Sequence, residues 1–158
     1  MVAIRHRPSD VIDWVRSLSA EKWTTANIRK LNFRGAEIGV QRFLDSRRYL
    51  LEMQYGYYAG DPGPIQLESK YVLDYARHSG AGRASASLPY GLWLSQGVNY
   101  KKYADGRSYW LLDARLMRRF GSFELSLDCS NLLDTHFQEI RGIDMPGRWL
   151  SARLKWNP

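Results

Sequence analysis

The sequence predicts an all-β protein, an antiparallel up-and-down meander of about eight strands. Two observations predict it. Apolar and polar residues alternate with period two along much of the chain, and the connections between the alternating runs are by turns short and long.

The first strand is expected at Asp10 to Arg16, where Val11, Ile12, Trp14 and Val15 are β-formers without clean alternation. Ser17 to Phe33 reads as a long connection, partly ordered at Trp23 to Ile28. The second strand, about Arg34 to Phe43, sets Ala36, Ile38, Val40 and Arg42 against Gly35, Glu37, Gly39 and Gln41. A tight turn near Asp45-Ser46 leads to the third, about Arg48 to Tyr58, whose Tyr49, Leu51, Met53, Tyr55 and Tyr57 oppose Arg48, Leu50, Glu52, Gln54 and Gly56. Gly60, Pro62, Gly63 and Pro64 break pairing between Ala59 and Ser69.

The fourth strand combines Tyr71 to Tyr75 with a Gly-, Ala- and Ser-rich run from His78 to Leu88, and Pro89-Tyr90-Gly91 turns the chain. The fifth, about Leu92 to Tyr103, places Leu92, Leu94, Val98 and Tyr100 opposite Trp93, Ser95, Gly97, Asn99 and Lys101; Asp105-Gly106 is a hairpin signal. The sixth, about Ser108 to Phe120, opposes Trp110, Leu112, Ala114, Leu116 and Phe120 to Tyr109, Asp113, Arg115 and Arg119. After Gly121-Ser122 the seventh alternates strictly from Phe123 to Cys129, and past the loop Asn131 to Gly147 the eighth places Leu150, Ala152, Leu154 and Trp156 against Trp149, Ser151, Arg153 and Lys155.

Alternation alone fits two environments. In a soluble sandwich the apolar face meets a core and the polar face meets water. In an outer-membrane barrel the apolar face meets lipid and the polar face lines the lumen, with short turns on one side and longer loops on the other. The long connections at 17–33, 59–70 and 134–147, against short ones at 44–47, 88–91 and 120–122, favour a transmembrane β-barrel segment. The polar set is then lumen-facing: Glu37, Glu52, Asp113, Arg115, Glu124, Asp128, Arg153 and Lys155, joined by Gln41, Gln54, Arg83, Ser95, Asn99 and Lys101.

Composition agrees with one folded domain: of 158 residues, 44% are hydrophobic and 25% charged, so disorder is disfavoured. Six Trp and ten Tyr suit aromatic girdles at two membrane interfaces, or a large core. The net charge of +7 admits a polyanionic partner, yet Lys and Arg are dispersed along the chain, as on a solvated or lumenal surface, and no nucleic-acid partner is expected. Cys129 is the single cysteine, so no internal disulfide forms. No apolar run reaches the ~18 residues of a membrane helix, and the stretch Met1 to Pro8 has no signal-peptide core. The chain is therefore expected to be a fragment of a longer receptor if it belongs in the outer membrane.

No enzyme is expected. Asp13, Asp74, Asp113 and Asp128 form no evident acid/base pair, and His6, His78 and His136 are too scattered for a metal motif. Gly80-Ala81-Gly82 precedes Arg83 without the later glycine of a dinucleotide loop, and Ser130 and Ser151 have no histidine partner at an identifiable spacing. No cofactor is expected.

The run Asn131-Leu132-Leu133-Asp134, then Phe137-Gln138-Glu139-Ile140, then Pro146-Gly147-Arg148 and a final alternating strand closed by Trp156 resembles the C-terminal signature of TonB-dependent outer-membrane receptors. Asn157 and Pro158 follow the aromatic on which such receptors usually end. Asp13-Trp14-Val15, Gly35-Ala36-Glu37, Tyr71-Val72-Leu73-Asp74-Tyr75 and Tyr109-Trp110-Leu111-Leu112-Asp113 follow the order of similar barrels, so the resemblance spans nearly the whole chain.

The resemblance implies that residues 1–158 are the C-terminal portion of a receptor barrel without its plug domain. It implies uptake of a scarce chelate, a ferric siderophore or cobalamin type, across the outer membrane. The implied partners are outer-membrane lipid, the barrel-assembly machinery reading Trp156, the N-terminal barrel and plug of the parent, and TonB-type energy coupling through that plug. Trp23, Tyr58, Tyr103, His136 and Arg141 are then candidates for substrate contact in or beside outer loops. The alternatives are a stand-alone small β-barrel, membrane or soluble, that binds a ligand or surface, and a basic nucleic-acid module.

Overall fold

The structure is a computed structural model that describes residues 2–6, 11–16, 22–28, 32–46, 48–61, 68–69 and 74–157. Residues 17–21 and 29–31 of the expected connection at 17–33, the Pro62-Gly63-Pro64 break and the Tyr71-Val72-Leu73 run lie outside the described residues.

Alternation produces one large antiparallel sheet. Its strands are β1 (Val2–His6), β4 (Asn32–Leu44), β5 (Tyr49–Asp61), β7 (Ala76–Leu88), β8 (Leu92–Tyr103), β9 (Ser108–Phe120), β10 (Phe123–Ser130) and β11 (Trp149–Trp156), neighbouring one another in that order. The remaining strands, β2 (Val11–Arg16), β3 (Thr24–Ile28) and β6 (Glu68–Ser69), make a second sheet in the order β3-β2-β6. Among the described residues the helical content is one 3-10 turn at Pro89–Gly91, where Tyr90 takes a positive φ of 63°.

The fold is thus all-β with an eight-stranded antiparallel meander, and the expected limits of the fifth and sixth strands agree with β8 and β9 residue for residue. The expected first strand is not in the meander. Residues Val11–Arg16 belong to the small sheet, and the edge of the large sheet is Val2–His6, paired with β4 from Val2↔Glu37 to His6↔Phe33. Five residues carry too short a pattern to separate a strand from a basic leader. β5 also runs past Tyr58 to Asp61, because Arg34 and Phe33 still supply ladder partners to Ala59 and Gly60.

All short turns, at 45–48, 89–91 and 121–122, lie at one end of the large sheet. The strand ends joined through 7–31, 62–75, 104–107 and 131–148 lie at the other, and in sequence β2, β3 and β6 fall within the first two of these intervals. The small sheet therefore links two long connections through Val15↔Ser69 and Arg16↔Glu68.

Register fixes the two faces, because directly paired residues point the same way. One row reads Gln41, Glu52, Arg83, Gly97, Asp113, and the next Phe43, Leu50, Ser85, Ser95, Arg115, Asp128, Ser151. On the opposite face, Ile38, Tyr55, Gly80, Tyr100 and Trp110 form one row, and Leu44, Tyr49, Ala86, Leu94, Leu116, Leu127 and Ala152 another.

Among the described residues nothing covers that apolar face. Among the described residues only Val15, Tyr103 and Tyr109 are buried hydrophobics, whereas 27 large hydrophobic residues are exposed, including Met53 at 71% and Leu154 at 63%. Basic residues of the large sheet's strands occur on this face only within two positions of a strand end: Arg5, Arg34 and Lys102 towards the long connections, Arg42 and Arg118 towards the short turns. The polar face carries charges at mid-strand as well, among them Glu37, Arg83, Asp113, Arg115 and Arg153, besides Arg119, Glu124 and Lys155 near strand ends. The sheet is not closed: β1 and β11 each pair on one side only among the described residues.

Candidate functional site

Two polar regions carry the chemistry. The first is the polar face itself, which curls around a trough of about 930 Å³ reaching from β4 to β10. Cross-strand neighbours of opposite charge meet there, as directly opposed positions allow. Arg83 lies 3.6 Å from Glu52, which also accepts from Gln41. Asn99 Nδ2 donates to Asp113 at 3.2 Å, Arg115 pairs with Asp128, and Arg119 Nη2 reaches Glu124 at 2.9 Å. Near the long-connection end the Tyr58 hydroxyl donates to Glu37, and its ring lies over Gly35, where a β-carbon would come within 2.7 Å of it. Arg153 and Lys155, on the last strand, have no ion pair among the described residues.

All fourteen residues of the polar set share this face. Each pair is partly solvated, where an ion pair is worth about 0–1 kcal/mol, so the ladder chiefly sets register and surface charge.

The second region is an ionic tie among three long connections. Asp74, with a side chain only 4% exposed, pairs with Arg107 from the 104–107 turn and accepts the Arg141 backbone N–H at 3.1 Å. Arg107 Nε also donates to Asp105 at 2.6 Å, and Arg141 Nη2 donates to the same carboxylate at 2.9 Å. The Arg107 guanidinium stands 4.6 Å from the centre of the Tyr103 ring. Beside it, Lys101 Nζ and the Tyr109 hydroxyl both donate to Glu139 Oε1, at 2.7 and 2.9 Å, while Phe137 packs 4.7 Å from the Tyr109 ring.

These contacts tune the acids outside the sheet. The Lys101 hydrogen bond holds Glu139 below the ordinary carboxylate range, against a partial burial that pushes it up, with Tyr109 adding to the lowering. Partial burial pushes Asp105 up, but the hydrogen bonds and charge of Arg107, with the charge of Arg141, outweigh it and leave Asp105 low.

The loop from 131 to 148 is built by its own polar residues. Asn131 is 4% exposed with φ of 50°, and its amide clasps Thr135 twice, accepting from the backbone N–H and donating to the carbonyl, each at 2.8 Å. Its own N–H donates to Asp113 Oδ1 at 2.9 Å. At the far end Asp134 Oδ1 accepts the Arg148 N–H at 2.7 Å.

Of the substrate-contact candidates, the structure brings Tyr103 and Arg141 together in the ionic tie, but Tyr103 is 5% exposed and therefore acts as packing under Arg107. His136 is exposed in the same loop, 3.2 Å from Asp144. Trp23 stands apart next to the small sheet, with Arg16 4.6 Å over its ring. Tyr58 lies within β5 on the polar face, not in a loop. Trp156 is exposed on the apolar face opposite Phe123.

Sequence reasoning missed Asp74, Asp105, Arg107 and Glu139 as a cluster, because their spacing exceeds any local motif. Asp74, Asp105 and Glu139 are each visible in a short string, Tyr71 to Tyr75, Asp105-Gly106 and Phe137 to Ile140, but nothing in those strings pairs them. Among the described residues no group of three His, Cys, Asp or Glu side chains is placed to hold a metal ion. Comparisons with family models, with curated proteins and with solved structures return no match.

Proposed function

We propose that the chain is the C-terminal barrel segment of an outer-membrane TonB-dependent receptor that takes up a scarce chelate of the ferric-siderophore or cobalamin type. One observation carries the membrane part of this reading: the apolar face is uncovered across the large sheet by any described residue, and its basic residues sit only near strand ends. A basic side chain on a lipid-facing strand costs about 2–4 kcal/mol at mid-bilayer and about 0–1 near the interface, which selects for that distribution.

Aromatic placement supports the same reading. On β9 the lipid-facing aromatics are Trp110 and Phe120. Ten residues span roughly 33 Å along a strand, and a tilt of about 40° reduces this to roughly 25 Å of height, the thickness of the apolar band of such barrels. The open edges at β1 and β11 leave ladder groups that neighbouring strands take up in a larger barrel and that copies of the chain pairing edge to edge take up in micelles or vesicles.

On this reading the chain supplies wall and outer surface. The ladder from Glu52 to Asp128 lines the lumen against the plug of the parent receptor. Trp23, His136 and Arg141, at the long-connection end, meet substrate, and the ionic tie holds the loops that present them. TonB-type coupling acts through the plug, and Trp156 is the signal for the barrel-assembly machinery.

Heat-modifiability in detergent tests the proposal. A chain refolded into micelles should migrate faster on electrophoresis unheated than after boiling. A chain that is monodisperse in detergent-free buffer and migrates identically in both states would contradict it.

A further inference from the structure

On the apolar face, Arg42 and Arg118 are the two charged residues of the strands at the short-turn end, among side chains that are otherwise apolar except for Gln96. Each lies two residues before the end of its strand, Leu44 on β4 and Phe120 on β9. Arg42 is paired across the ladder with Leu51, and Arg118 with Leu92 and Leu125. Both are exposed, and neither has an acidic partner among the described residues. Two residues of tilted strand correspond to roughly 5 Å of depth, within reach of a long side chain that buries its stem and sends its charged head to the interface.

Between these two arginines the apolar face has a dent of about 310 Å³, lined mainly by Ala84, Ala86, Leu44, Tyr49, Leu51 and Leu94, with Ser85 and Gln96 completing the lining. Leu51 is both a wall of the dent and the ladder partner of Arg42. A cation above an apolar furrow is complementary to a phosphate above an acyl chain.

We propose that Arg42 and Arg118 bind the phosphate groups of anionic phospholipid in the leaflet at the short-turn end, with an acyl chain lying in the Ala84/Ala86 dent. This rests on the membrane reading above and adds to it the lipid class that one end of the wall selects. The guanidinium suits the site because it is always charged and offers a planar fork of donors to a phosphate.

The test is insertion of the urea-unfolded chain into vesicles of phosphatidylcholine and into vesicles where a fraction is replaced by phosphatidylglycerol, scored by protection from protease. The wild-type chain should reach half-insertion at a lower lipid concentration with phosphatidylglycerol present. Arg42→Gln with Arg118→Gln should lose about fivefold of that preference per arginine, about twenty-five-fold together. Arg42→Lys with Arg118→Lys should retain most of it. Arg153→Gln with Lys155→Gln removes the same charge from the other face and should leave the preference intact.

Equal insertion of the wild type into both vesicles would overturn the lipid proposal alone. So would equal losses from the two Gln pairs, which would reduce the effect to net charge. A wild-type chain that inserts into neither vesicle would overturn this inference together with the membrane reading.

Discussion

Asp134 and Gly147 approach so closely that a β-carbon at 147 would lie 2.5 Å from Asp134 Oδ1 and would displace that carboxylate. The same oxygen accepts the Arg148 N–H, so one carboxylate and one bare backbone position together set the entry into β11.

Gly147→Ala should therefore destabilise the folded chain by about 1–3 kcal/mol, the usual range for overpacking. Asp134→Ala, which removes one hydrogen bond, should cost about 1 kcal/mol. The double variant should cost less than the sum, because loss of the carboxylate makes room for the new methyl group. Denaturant unfolding in micelles measures all three, and strictly additive costs would refute the contact.

Asn131→Ala removes both side-chain bonds to Thr135 and leaves a residue without a polar side chain at a positive φ. A loss of about 2–4 kcal/mol is expected from two partly buried bonds and the backbone conformation together. Protease nicking between 131 and 148 should accelerate in this variant. Unchanged nicking would show that the clasp does not order the loop.

The ionic tie predicts a pH response with a definite sign. Glu139 and Asp105 have folded-state values below their ordinary ones. Their contribution is then fully present above the ordinary carboxylate value of about 4 and is lost as pH falls through the lowered values. Amide hydrogen exchange in 104–107 and 131–148 should rise below about pH 4 while mid-strand amides stay protected. Lys101→Met should raise the pH at which the Glu139 part opens, and an unshifted profile would count against the Lys101 pairing.

Much of the sheet was legible because its faces differ in chemistry. From Leu92 to Phe120 a period of two, interrupted at Trp93, Gln96, Leu111 and Met117 but punctuated by Pro89-Tyr90-Gly91 and Asp105-Gly106, favours one register. Val11 to Arg16 misled because its apolar residues are adjacent and do not alternate, and the small sheet that claims it draws on residues over fifty positions apart. The loop motif was visible as a string, Asn131 to Asp134 and Pro146 to Arg148, whereas its cause, the Asn131 clasp and the Asp134 contact, is three-dimensional. The tie of Asp74 to Arg107 and Arg141 had no local pattern at all: its partners are 33 and 67 positions apart.

Depth along the apolar face makes a further prediction. Leu127 is mid-strand and 49% exposed. In water Leu127→Arg would be nearly neutral, but in a bilayer it should cost about 2–4 kcal/mol. Asp128→Asn, one residue away on the polar face, should cost less, since it breaks one partly solvated pair with Arg115. Folding free energies in lipid vesicles decide the order, and an inexpensive Leu127→Arg would count heavily against the lipid-facing assignment.

The central claim is that the hydrocarbon side of the sheet faces lipid and the ionic side does not, and Cys129, the chain's one cysteine, sits on the apolar face next to Asp128 on the other. A bimane label on Cys129 of the vesicle-inserted chain, compared with a label at position 128 in Asp128→Cys with Cys129→Ser, should be quenched by brominated acyl chains while the label at 128 is not. Quenching of both labels alike, or of neither, would contradict the account.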